Sequence, residues 1–314
     1  MQIRLTYRNY YYLCRMKQII PIPNVPRDDR IGSVFNHLFK VIYATRLSHD
    51  DVVWDFSDTT FFHPFFLAPF AIYKSLCGKN IECRNMPSYL SSYLDSIYFH
   101  TFLDIKDDSD LQKSLQSYSG KSYIPICRFS LKNKNIDRMQ SLVQATIEKQ
   151  NKLDSSLKSA ISYMLSELIC NISEHSESEF GYLYSQRKGD ALNICIADAG
   201  VTVYGSYLRA KKYLEKISGN EAEALRIANE GFSTKDPPNA ENRGFGLSTT
   251  KRMIVDGLGG SFFMLSGGAF HRHNKDGIQY IKLPEYISWD GTVLLIRIPL
   301  TVPSDFDYYK YIIY

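Results

Sequence analysis

The chain has 314 residues, 44% of them hydrophobic, which is enough for two ordinary domains with their own cores and too apolar for a disordered chain. Its formal net charge is only +4, with Lys and Arg scattered through periodic segments, so there is no clear nucleic-acid signal. The six cysteines (Cys14, Cys77, Cys83, Cys127, Cys170, Cys195) form no CxxC pair and argue for a reducing, cytoplasmic setting.

Met1 to Lys17 mixes Arg and Tyr with apolar residues and lacks the apolar core and cleavage site of a signal peptide. Asp51 to Asp58 is expected to be a short strand ending in a polar turn, and Phe66 to Cys77 a helix that follows it. The greasy run Phe61 to Tyr73 is interrupted by His63, Pro64 and Pro69 and falls short of the roughly 20 apolar residues of a membrane span, so it is expected to be buried core. Asn80 to Asn85 reads as the next strand, and Pro87 opens a helix with Leu90, Leu94 and Ile97 on one face. Lys106 to Lys121, polar and rich in Ser and Asp, is expected to be an exposed loop. After a strand at Tyr123 to Leu131, one long helical region from about Asp137 to about Ser176 begins the second half. The second half then runs hairpin, loop, helix and three strands at Ser261 to Ser266, Ile278 to Leu283 and Thr292 to Pro299. That order predicts an α/β fold with a mostly antiparallel sheet. The expected units are a smaller α/β domain at 1–130, a two-layer α/β sandwich at 131–305 and a Tyr-rich tail at 306–314, a packing element or partner contact.

Three constellations could carry chemistry. In SYMLSELICNISEHS the apolar stripe Ile161, Leu165, Leu168, Ile172 is flanked by Glu167, Asn171 and His175 at every fourth position, one line along a helix. A carboxylate there could take a proton from a nucleophile, and an amide oxygen could bind a hard cation such as Mg²⁺; a solvated polar flank explains the same line. Ala191 to Asp198 alternates as a strand and delivers Asp198 to its end, ahead of Ala199 and Gly200. Such a carboxylate can accept a hydrogen bond from an exocyclic amine, while a plain turn accounts for the same letters. Finally, Asn242 to Ser248 places Gly244, Phe245, Gly246 and Leu247 at the opening of a helix, with Lys235 and Arg243 nearby, an arrangement suited to an anion such as phosphate.

The order ExxxN, DxG after a strand, GxGL opening a helix and Gly291-Thr292 on a late strand resembles the GHKL superfamily over about Ser155 to Pro299. That family includes histidine kinases, type II topoisomerases, mismatch-repair ATPases, heat-shock chaperones and anti-sigma-factor kinases. The resemblance implies a Bergerat-type sandwich holding ATP and Mg²⁺, with Glu167 the general base and Asn171 the metal ligand. It also implies Asp198 as adenine-amine acceptor with Gly200 beneath the base, Thr292 reaching adenine through a water, and Gly244 and Gly246 cradling phosphates at the end of a lid spanning roughly Gly231 to Arg243. Thr202 stands where many members carry a second glycine. The first domain resembles the STAS fold of anti-sigma-factor antagonists in DFSDTTFFHPFF, but Pro64 and Phe65 occupy the place of the phosphorylatable Ser. The function implied is a signalling switch in which Mg-ATP binding and slow hydrolysis change an interdomain or partner-protein contact. An anti-sigma-type Ser/Thr kinase and a nucleotide sensor without turnover are the alternatives. Dimerisation is common in the family, so a homodimer is a further expectation.

Overall fold

The computed structural model describes residues 17–24, 31–48, 51–105, 108–132, 136–234, 246–285 and 287–312. Gln18–Pro21 (β1), Val52–Asp55 (β2) and Ile81–Arg84 (β3) form a parallel sheet in the order β1-β2-β3. Helices Ile31–Leu47 (α1) and Pro64–Leu76 (α2) make the crossovers that parallel pairing requires. His63 and Pro64 start α2 instead of interrupting it: the His63 ring accepts from the Phe65 N–H at 3.3 Å, and Pro64 occupies the first turn, where its missing donor costs nothing. Residues 64–73 of α2 are all buried, as expected for the greasy run.

The chain continues through Ser88–Ser96 (α3), Leu103–Ile105 (β4), Asp108–Tyr118 (α4), Tyr123–Ser130 (β5), Ile136–Asn151 (α5) and Ser155–His175 (α6). Phe180–Lys188 (β6) and Ala191–Asp198 (β7) form a hairpin, followed by the helices Val203–Ala210 (α7), Leu214–Ile217 (α8) and Glu221–Asn229 (α9). Gly246–Arg252 (α10) runs into a π-helical turn, Met253–Gly257. Then come Ser261–Gly267 (β8), Ala269–Asn274 (β9), Gly277–Lys282 (β10), Trp289–Pro299 (β11) and Tyr309–Ile312 (α11). Eight strands join in one sheet, ordered β10-β9-β8-β11-β7-β6-β5-β4 and antiparallel except between β4 and β5. The fold is mixed α/β, and the expected strands of the second half are all present.

Four expectations need correction. The segment expected as a loop contains a helix, α4 at Asp108–Tyr118; its Leu115 is buried, and Gln150 of α5 donates to the Tyr118 and Tyr123 carbonyls at 2.8 Å each. Tertiary docking has overridden the weak propensity of Ser and Asp. The helical region 137–176 is two helices, broken where Lys152 takes φ +49° and Asp154 caps α6 by accepting from the Leu157 N–H at 3.0 Å. The loop expected after the β6–β7 hairpin contains α7, α8 and α9, and β9 went unforeseen between two expected strands.

The fourth correction concerns layers. One face of the large sheet, with Leu183, Ile194, Phe262 and Leu294, packs on α5 and α6, the expected two-layer arrangement. The other face, with Tyr184, Cys195, Phe263 and Leu295, is covered by α1 and α2. Phe35 of α1 meets Phe270 at 4.7 Å and Phe65 of α2 meets Phe263 at 6.0 Å, while Trp54 of β2 stacks on Phe70 from the opposite side at 3.9 Å. Each fully buried ring of this kind contributes about 1.5–3 kcal/mol by leaving water. Strands β4 and β5 precede position 131, yet they pair into the sheet of the second half. In the tail, Tyr308 meets Tyr163 of α6 at 6.3 Å, and Phe306 and Tyr311 fill the space a Cβ would need at Gly257, so the described part is a packing element.

Candidate functional site

The apolar stripe of α6 (Ile161, Leu165, Leu168, Ile172) is buried, which fixes the rotation of the helix and turns Asn171 and His175 toward the end of the sheet. There an open cleft is lined by Asn171 and His175, by Asp198 at the end of β7, by Thr292 of β11 and by Leu247 of α10. Val203, Ser206 and Tyr207 of α7 and Phe232 complete one wall. Thr202 starts that wall: its hydroxyl accepts from the Gly205 N–H at 3.0 Å, so the residue that replaces a glycine in the resemblance acts here as a helix cap.

Asp198 is 1% exposed, and desolvation pushes its carboxyl up to about 7, only partly offset by backbone N–H donation from Gly200, at 2.9 Å, and Thr292. The indole of Trp289 donates to the Asp198 carbonyl at 3.1 Å. Gly291 takes φ +91°, and a Cβ there would run into the Asp198 carboxylate and the Gly200 nitrogen. The glycine at 200 is required by a different neighbour, because a Cβ would strike the Ser176 carbonyl, to which the Val201 N–H donates at 2.6 Å. Gly200 thus docks the β7 end on the last turn of α6.

Glu167 stands one turn before Asn171 and does not line the cleft. Its carboxylate fills the space a Cβ would occupy at Gly246, the first residue of α10. The His175 ring nitrogen Nδ1 lies 3.2 Å from the Thr234 hydroxyl, and the His175 carbonyl accepts from Ser206 Oγ at 3.2 Å. Of the residues singled out in the sequence, Asn171, Asp198, Leu247 and Thr292 meet in one cleft, with Gly200 and Gly246 beside it. Lys235, Arg243, Gly244 and Phe245, and with them most of the expected lid, lie outside the described residues.

No protein-family model matches the chain, and no curated protein does. Among the described residues no cluster of three or more His, Cys, Asp or Glu could hold a metal ion, and no helix is long and apolar enough to cross a membrane.

Sequence reasoning missed Ser266 and Trp289. Ser266, buried on β8, accepts from the Val203 N–H at 2.9 Å, donates to the Gly291 carbonyl at 2.8 Å and lies 3.1 Å from the Thr292 hydroxyl. In the run SFFMLS it looks like the polar residue that ends an apolar strand. On the far side of the same strand ends, a second cleft is lined by Arg46, Tyr73, Lys79, Ala199, Trp289 and Asp290. Trp289 therefore touches the Asp198 backbone and the α1–α2 layer at once.

Proposed function

We propose that the cleft binds Mg-ATP as a GHKL-type nucleotide site and that nucleotide occupancy switches the contact with the N-terminal, STAS-like layer or with a protein partner. The observation that carries this reading is the meeting of Asn171, Asp198, Leu247 and Thr292 in one cleft, with the Glu167 carboxylate at the start of α10. These residues come from four separate elements, and the sequence resemblance implies the roles that follow. Asp198, ionised, accepts from the exocyclic amine of adenine. The Asn171 amide oxygen is a hard ligand suited to Mg²⁺, which takes few protein ligands and fills its shell with phosphate oxygens and water. The bound ion would supply charge neutralisation at the phosphates.

By the resemblance, Glu167, whose carboxylate lies at Gly246 beside the cleft, would take a proton from a water whose oxygen bonds to the γ-phosphorus while the bond to the bridging oxygen breaks to leave ADP and phosphate. The coupling is supported by Trp289, whose indole donates to the Asp198 backbone carbonyl while its ring packs in the back layer.

The test is incubation of the full chain with γ-labelled ATP and Mg²⁺, with and without lysate. Free phosphate that is lost in Glu167→Ala is the expected result. Label on another protein would make the chain a kinase, and absence of nucleotide binding by calorimetry would overturn the assignment.

A further inference from the structure

We propose that the second cleft, on the back of the strand ends between α1, α2 and the start of β11, is a ligand site of its own and takes a small monocarboxylate with an apolar, ring-sized body. The inference does not depend on the nucleotide assignment, because none of the residues that line the front cleft lines this one.

The cavity measures about 330 Å³, inside the roughly 300–1,000 Å³ typical of small-molecule sites. Much of its lining is apolar or aromatic. Ile72 and Tyr73 of α2 and Trp289 of β11 are buried around it, and Leu76, 48% exposed, stands at the rim. Such walls favour a hydrocarbon body that leaves water on binding.

The charge of the lining is unbalanced. Arg46 and Lys79 both face the cavity, and neither forms an ion pair among the described residues. What holds them is neutral. An Arg46 N–H donates to the Ser288 hydroxyl at 2.7 Å, and the Lys79 ammonium donates to the Ser48 carbonyl and, at 3.4 Å, to the Arg46 carbonyl. These contacts fix the two cations in place and leave N–H groups and charge to offer. Asp290 is the single carboxylate of the lining, so two positive groups face one negative. The surplus of about one charge matches a carboxylate, whereas a phosphate monoester brings about 1.5 to 2 negative charges at neutral pH. A guanidinium also meets a carboxylate through two parallel N–H to oxygen bonds, which orients the guest as well as holding it.

Equilibrium dialysis of the full chain at pH 7 with benzoate, benzamide and phenyl phosphate tests this. Benzoate should bind at millimolar concentration or below, and benzamide, which has the same shape without the charge, at least about tenfold more weakly. Arg46→Gln should weaken benzoate about tenfold or more. Leu76→Glu changes an exposed side chain, so the fold tolerates it, and the carboxylate it adds cancels the surplus charge; benzoate binding should fall about tenfold there too. Asn171→Ala, in the front cleft, should leave benzoate binding as it is. Benzamide equal to benzoate, phenyl phosphate tighter than benzoate, binding that survives both back-cleft variants, loss in Asn171→Ala, or no benzoate binding at millimolar concentration each overturns the assignment. Calorimetry with Mg-ATP on the same samples reads the front cleft separately, so either site can fail without the other.

Discussion

The two faces of the eight-stranded sheet are buried for different purposes. The front face packs aliphatic side chains against α6 and stops short at the strand ends, leaving a cleft lined by Asn171, His175, Asp198 and Thr292. The back face carries Tyr182, Tyr184, Phe263 and Phe270 and is sealed by the rings of α1 and α2. Every residue of β7 is consequently buried, Leu192, Ile194 and Ile196 toward the front and Cys195 and Ala197 toward the back. One strand thus belongs to two cores, and the cleft opens where its front cover ends.

The sharpest way to break this comparison is to empty the seam. Phe263→Ala should cost about 3–5 kcal/mol and move the whole chain through a single calorimetric transition, because its ring serves the core that joins both halves. Two separate transitions would show the halves to be independent.

Next in size is the pH behaviour of Asp198, whose folded carboxyl lies near 7 against an ordinary value of 3.8. The folded state keeps this proton between about pH 4 and 7 while the unfolded chain has released it, so stability falls as pH rises through that window, by roughly 4 kcal/mol. Asp198→Asn should flatten that part of the melting-temperature profile. ATP affinity in the wild type should rise with pH over the upper part of the same window, since the ionised form accepts the amine. Opposite slopes for stability and binding are the signature to seek.

Gly291→Ala acts where the faces meet. It should destabilise by at least about 2 kcal/mol and abolish nucleotide binding, through positive φ and collision with Asp198; thermal melts and titration of the variant check both.

Smallest is Lys251, 5% exposed on α10, with the Asn229 amide oxygen at 3.3 Å and its ammonium lowered by burial to about 8. The unfolded chain binds this proton more tightly, so stability should rise from about pH 8 to 10.5. Lys251→Met should remove that slope and add about 1 kcal/mol at neutral pH, as seen by denaturant titration.

Much of the front face was legible because its signals are local. The α6 stripe, the β7 alternation ending in Asp198 and the Gly246-Leu247 helix start each declare themselves within a dozen residues. The back face was not, because nothing in ALNICIAD says that Cys195 and Ala197 also meet a cover; that information lies in Phe35 and Phe65, more than a hundred residues away. Ser266 escaped for the same reason, since its partners Val203, Gly291 and Thr292 are brought to it only by the fold. The helix α4 was hidden by composition, its Ser and Asp content reading as a loop until α5 supplies the docking surface.

The donation of β4 and β5 across position 131 bears on how such a protein can be inherited. A gene cut there would yield a downstream product with the hydrogen-bonding edge of β6 bare and a slab of tyrosine and phenylalanine rings open to water, the recipe for a sticky, self-associating fragment. Longer surface turns cost such a sheet little, whereas removing the upstream strands exposes the edge beside the strand that carries Asp198.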